Sequence, residues 1–163
     1  MHAQTQKERL QSAGQWWGTF LDEFRVVCPR CERTALVLPR QAGESGIFAS
    51  RRVTCTHCGF SNPWEGQCVS MPWYADPMRD FYFRLPLRLQ IHCGKHLLWA
   101  FNHRHLGFLE AFVQASLRER TRHSSYGWHN RGLTSRLPRW LKAAQHRAAI
   151  LKAIETLRKR DLR

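Results

Sequence analysis

Cys28-Pro29-Arg30-Cys31 and Cys55-Thr56-His57-Cys58-Gly59 stand 23 residues apart. Each Cys-x-x-Cys is short enough to close a tight turn whose two thiolates point at one cation, and two such pairs supply the four soft ligands of a tetrahedral zinc site. Pro29 and Gly59 suit those turns. Cys28, Cys31, Cys55 and Cys58 are therefore read as ligands of one structural Zn2+. Four protein ligands leave no coordination position for water or substrate, so this zinc would not be catalytic. Buried free thiols and a redox Cys-x-x-Cys at a strand-to-helix turn are the competing readings, and neither requires two matched pairs. Four thiolates around Zn2+ leave a local charge of about −2. Arg30, Arg33, Arg51 and Arg52 flank the ligands and are expected either to offset that charge or to touch phosphate.

The elements that must hold these turns are legible between them. Arg33 to Leu38 is rich in strand formers, Arg51 to Thr54 leads into the second pair as another strand, and Gln41-Ala-Gly-Glu-Ser-Gly46 connects them. On these residues, positions 24–62 resemble a zinc ribbon, the small antiparallel sheet of many transcription, replication and ribosome-associated proteins. The resemblance implies a rigid structural module.

The chain has 163 residues with 26 Lys and Arg against 12 Asp and Glu, a formal charge of +14. A small domain stays soluble with a net charge of magnitude about 2–8, so the excess calls for a polyanionic partner, nucleic acid first and an acidic protein or anionic membrane surface next. Residues 1–70 carry 8 basic and 6 acidic side chains, whereas residues 71–163 carry 18 and 6. The polyanion contact is expected in the second part. The longest apolar run, Leu97 to Phe101, falls far short of the roughly 20 residues that cross a bilayer, so no transmembrane segment is expected. The polar start Met1-His-Ala-Gln-Thr-Gln-Lys-Glu-Arg9 lacks the apolar stretch of a secretory signal. Cytoplasmic residence, where disulfides are rare, is the expectation.

Outside the ribbon, apolar residues at Leu10, Ala13, Trp17, Phe20 or Leu21 and Phe24 suggest a helix over 5–24, against the cost of Gly14 and Gly18. Residues 60–86 mix four prolines with aromatics and read as an ordered, extended connection. Arg84 to His92 alternates apolar with basic or polar residues, Cys93-Gly94-Lys95 turns it, and His96 to Phe101 returns as a hairpin. Asn102 offers an N-cap to a helix over about His103 to Arg120, with stripes Leu106, Leu109, Val113, Leu117 and Phe108, Phe112. A last helix is expected from about Ser135 through Arg160, with Pro138 in its first turn and Trp140, Leu141, Ala144, Ala148 and Leu151 facing the core. At 100° per residue, Arg139, Lys142, His146 and Arg160 share its opposite face. The chain is thus expected to be α+β: an N-terminal helical or irregular extension over 1–23, a zinc ribbon over 24–62, a Pro- and aromatic-rich connection over 63–83, and a basic hairpin-plus-two-helix region over 84–163.

Thr121 to Ser135 combines Arg122 and Arg131 with Tyr126 and Trp128, the chemistry of charge pairing to phosphate and stacking on exposed bases. Residues 118–163 hold 13 basic and 3 acidic side chains. Arg122, Tyr126, Trp128, Arg131, Arg136, Arg139 and Lys142, with Arg51 and Arg52 of the ribbon, are the candidate nucleic-acid contacts. A solvated loop and a solvated helix face are the bland alternatives. His92, His96, His103, His105, His123 and His129, with Cys68 and Cys93, raise the question of a second metal site, although their spacing follows no zinc pattern.

The hairpin and helix bearing His92, Asn102 and His103 resemble the ββα-metal nuclease arrangement, but Gln90 and Ile91 stand where that family places an acidic or histidine neighbour. Leu85-Pro-Leu-Arg-Leu-Gln, Cys93-Gly and Leu98-Trp-Ala-Phe-Asn are similar to small uncharacterised bacterial proteins labelled as zinc-ribbon or replication-restart proteins. That resemblance implies an accessory role. Acidic residues are scattered singly, which disfavours a two-metal phosphoryl-transfer site, and there is no Gly-x-x-x-x-Gly-Lys-[Ser/Thr] loop or Gly-x-Ser-x-Gly elbow. The expectation is a non-enzyme with no small-molecule substrate that binds DNA or RNA through its basic second region. The alternatives are an adaptor whose ribbon and aromatic 60–83 segment dock onto a larger assembly, and a metal-dependent nuclease.

Overall fold

The computed structural model describes residues 9–10, 17–41, 43–44, 46–64, 75–115, 117–118, 122–123, 127–128 and 136–161. Strands β1 (Phe24–Val27), β2 (Thr34–Pro39), β3 (Arg51–Thr54) and β4 (Ser61–Pro63) form one antiparallel sheet in that order. The register sets Phe24 opposite Val37 and Val37 opposite Val53. Side chains alternate across a strand, so Phe24, Val26, Ala35, Val37 and Val53 share the face that is buried. The strands follow the sequence expectation for 24–62 and extend it by one residue.

Strands β5 (Leu89–Cys93) and β6 (His96–Ala100) make the expected hairpin, with Cys93 paired to His96 across the two-residue turn Gly94-Lys95. Gly94 sits at φ +60°, a backbone region that only glycine enters without steric cost. Helix α1 (His103–Gln114) follows, capped by the Asn102 side chain, which accepts the His105 N–H at 2.9 Å. The helix stops at Gln114 rather than continuing to Arg120, because Ala115 leaves the helical conformation (ψ 123°) and Leu117–Arg118 pairs as a short strand with Arg9–Leu10. Leu106, Leu109, Phe112 and Val113 are buried as the stripes require.

Among the described residues the last expected helix is interrupted at Leu137–Pro138 and again at Ala143. Helix α2 (Arg139–Lys142) ends at Ala143, whose extended backbone (ψ 126°) leads through a 3-10 turn into helix α3 (Arg147–Asp161). Pro138 is the residue before α2 rather than part of its first turn. A break resets the rotation of side chains about the axis, so a single 100° projection fails across it. Ala144 and Ala148 are exposed, the core residues of α3 are Ile150, Ala153, Ile154 and Leu157, and Arg139 and Lys142 do not share one helical face with Arg160. The expected N-terminal helix is likewise absent where the chain is described: Trp17–Phe20 is a 3-10 turn, and Phe24 already opens β1. The rest of that stretch lies mostly outside the described residues.

Two apolar clusters result. One joins the ribbon's inner face to Met78, Phe81, Tyr82, Leu87 and Phe101, with Phe24, Phe81 and Phe101 meeting edge-on at 5.0–5.3 Å. The other joins the hairpin to α1 and α3 through Leu89, Leu98, Leu106, Leu109, Ile150, Ile154 and Leu157. Main-chain bonds tie the two, since Arg25 N–H donates to Phe101 O, Arg88 N–H to Arg25 O and Val27 N–H to Pro86 O, each at 2.8 Å. The outer side of β1 is thereby covered.

Candidate metal centre and nucleic-acid interface

The two cysteine turns repeat the same backbone construction. After β1, the Cys28 N–H donates to Arg33 O (2.8 Å) and the Glu32 N–H to Cys28 O (2.9 Å). After β3, the Cys55 N–H donates to Phe60 O (2.8 Å) and the Gly59 N–H to Cys55 O (3.0 Å). Both turns need a left-handed residue just after the second cysteine, and they have it in Glu32 (φ 60°) and Gly59 (φ 72°). Because β1 and β3 both flank β2 in the sheet, the two turns meet at one end of it.

All four sulfurs lie within 4.8 Å of one another, with Cys28 Sγ 3.6 Å from Cys58 Sγ and Cys31 Sγ 3.6 Å from Cys55 Sγ. Tetrahedral zinc with Zn–S of about 2.3 Å sets its sulfurs roughly 3.8 Å apart. The cluster is sized for one Zn2+, as the spacing implied. Its thiols hold their protons jointly. Burial raises the pKa of Cys55, but the Cys58 and His57 amides and the Cys31 and Cys28 thiols outweigh that and bring it down to about 7. At Cys31 the Arg33 amide lowers the pKa, while burial and the other three sulfurs raise it to about 12. A divalent cation displaces these protons and satisfies all four sulfurs at once. With the shell closed, such a cation has a structural role.

The arginines beside the site divide. Arg51 was expected at the surface; instead it is 1% exposed, donates to Asp22 O (3.2 Å) and Gly46 O (3.1 Å), and lies over the Tyr82 ring at 4.9 Å. It shares the inward face of β3 with Val53 and cannot reach a polyanion. Arg52, next along the strand, is exposed and touches Ser61 Oγ at 3.2 Å. Arg30 and Arg33 are exposed in the first turn.

In the second region, Arg136 and Arg139 are exposed and Lys142 is half-buried. The side chains of Arg122, Tyr126, Trp128 and Arg131 lie outside the described residues, although the backbone pairs Arg122–His123 with Gly127–Trp128. The histidines have separate surroundings. His92 Nε2 sits 2.8 Å from Asp76, His103 Nε2 lies 2.8 Å from Asp161, and His96 stacks on Trp140 at 4.9 Å. His105 is buried against Phe20, accepts the Phe101 N–H on Nδ1, and burial pulls its pKa down to about 3, so it is neutral. Among the described residues, only the four cysteines group as metal ligands; Cys68, His123 and His129 fall outside them. Asn102 is buried, with its amide donating to Phe20 O and Glu23 O at 2.9 Å, and offers nothing to a metal.

Sequence reasoning passed over Asp161. Its carboxylate, whose side chain is 1% exposed, accepts from Arg25 Nε (2.7 Å) and Thr34 Oγ1 (2.8 Å) of the ribbon and faces His103. A lone acid after Arg158-Lys159-Arg160 was the available signal. Asp80, also buried, accepts three backbone N–H groups, from Tyr82, Phe83 and Leu85. Burial raises its pKa against those bonds.

No family model matches the chain. No curated protein matches it, and no solved structure does.

Proposed function

We propose that this chain is a zinc-ribbon protein that binds nucleic acid through its second region and acts by binding, as an accessory factor. The observation that carries the reading is charge and how it is partnered. Residues 71–163 hold 18 basic and 6 acidic side chains. Of those acids, Asp80 and Asp161 are buried, Glu110 pairs with Arg158, Glu155 with Lys159 and Asp76 with His92. Five of the six acids are thus engaged locally, Glu119 lying outside the described residues, while Lys95, Arg136, Arg139, Lys152 and Arg160 are exposed. Such a surface attracts phosphate by counterion release.

The test is fluorescence anisotropy of the zinc-loaded, nuclease-treated protein with labelled single-stranded DNA, duplex DNA and RNA across a salt series. The expected result is log K falling with log salt at a slope of several phosphates, about −0.9 each on duplex and −0.7 on single strands. Absence of binding to all three at low salt would overturn the reading.

Phe48, 77% exposed in the connection between β2 and β3, favours a second reading, a protein-docking adaptor. In the described part of the aromatic 60–83 segment, Phe81 and Tyr82 are core residues, whereas Phe60, Trp64 and Phe83 are half-buried against that core. A stoichiometric protein that copurifies after nuclease treatment, and is lost on Phe48→Asp, would support it.

A further inference from the structure

We infer that the groove between β6 and α2 takes an unpaired nucleobase of a single-stranded nucleic acid, with the adjoining phosphates on Lys95 and Arg136. The inference rests on the nucleic-acid reading and names the ligand class and the place. The groove encloses about 770 Å³, within the range of roughly 300–1,000 Å³ that holds a nucleotide-sized ligand. Its floor is apolar, with Leu98 and Leu141 buried. Its walls carry two half-buried indoles, Trp99 and Trp140, and the Trp140 ring stacks on His96 at 4.9 Å with only 2° between the planes. Flat walls of this kind accept a flat ring by stacking, whatever the base.

Charge complementarity decides the occupant. Lys95 and Arg136 line the groove and are exposed, so they can hold phosphate while the base enters. Asp76, the carboxylate in the lining, is engaged by His92 at 2.8 Å. His105 below is kept neutral by burial, which leaves the interior uncharged and fit for a base rather than a phosphate. A duplex cannot use the site, because its bases are stacked inside and must be extruded to reach such a pocket.

Three labelled ligands separate stacking from charge: an oligothymidine, an abasic oligomer of the same length and phosphate count, and a duplex. The wild-type protein should bind oligothymidine about tenfold tighter than the abasic oligomer. Trp140→Ala should erase that preference without weakening abasic binding, and the Lys95→Gln/Arg136→Gln variant should weaken both. Photo-cross-linking of 5-bromouracil-substituted oligomer to the unmutated protein should mark Trp99, Trp140 or His96, and it decides the matter even where a variant fails to fold. Equal affinity for oligothymidine and abasic oligomer, preference for duplex, or cross-links confined elsewhere would overturn the groove while leaving the nucleic-acid reading standing. No affinity for any of the three would overturn both.

Discussion

The ribbon and the hairpin–helix half solve the same problem by different means. In the second half, β5, β6, α1 and α3 enclose a layer of Leu and Ile side chains and need no cross-link. The ribbon has four short strands, and at its cysteine end Cys28 and Cys55 are buried at the margin of the shared core while Cys31 and Cys58 are only half-buried. The difference teaches that the metal holds the ribbon's cysteine end, while the other end rests on Phe81 and Phe101 from the rest of the chain.

Removing the metal ligands should break this comparison most severely. Structural Zn2+ contributes about 10–16 kcal/mol in small zinc modules, so Cys28→Ser/Cys55→Ser should lose zinc and ordered ribbon while keeping helical circular dichroism. Retention of one zinc per chain would exclude the site. On the other side, Ile154→Ala, which empties the core of α3, should cost about 2–5 kcal/mol in denaturant melts. It should leave zinc content unchanged, and loss of zinc with it would show that the halves are not separately held.

The junction comes next. Asp161→Asn keeps the shape but removes the charge that faces Arg25 and His103, and should cost about 2 kcal/mol. Restoring stability by Arg25→Met in the same chain, measured as a double-mutant cycle, would assign that loss to the pair. The smallest effect concerns the two cysteine turns. Glu32 holds the left-handed position that Gly59 fills in its twin, so Glu32→Gly should stabilise the zinc-loaded protein by about 1 kcal/mol. A lower melting temperature in that variant would mean that the Glu32 side chain contributes more than its backbone costs.

The metal site was legible because thiolate pairs at fixed spacing have few other uses, and the hairpin because alternation and Gly94 both marked it. The α2–α3 break was not, since Lys142-Ala143-Ala144 carries neither glycine nor proline and Ala143 leaves the helix without a local signal. Arg51 was read by its charge when its alternation with Val53 and Cys55 already turned it inward. The groove was invisible because His96 and Trp140, far apart in the chain, stack only when α2 packs against the hairpin.

The most direct measurement is amide hydrogen exchange of the zinc-loaded and zinc-stripped protein. Stripping should expose the amides of Cys28–Thr34 and Cys55–Ser61 while those of Leu106–Val113 and Ile150–Leu157 stay protected. Equal loss in both halves, or no loss in either, would contradict the division between a metal-held ribbon and a self-sufficient hairpin–helix half.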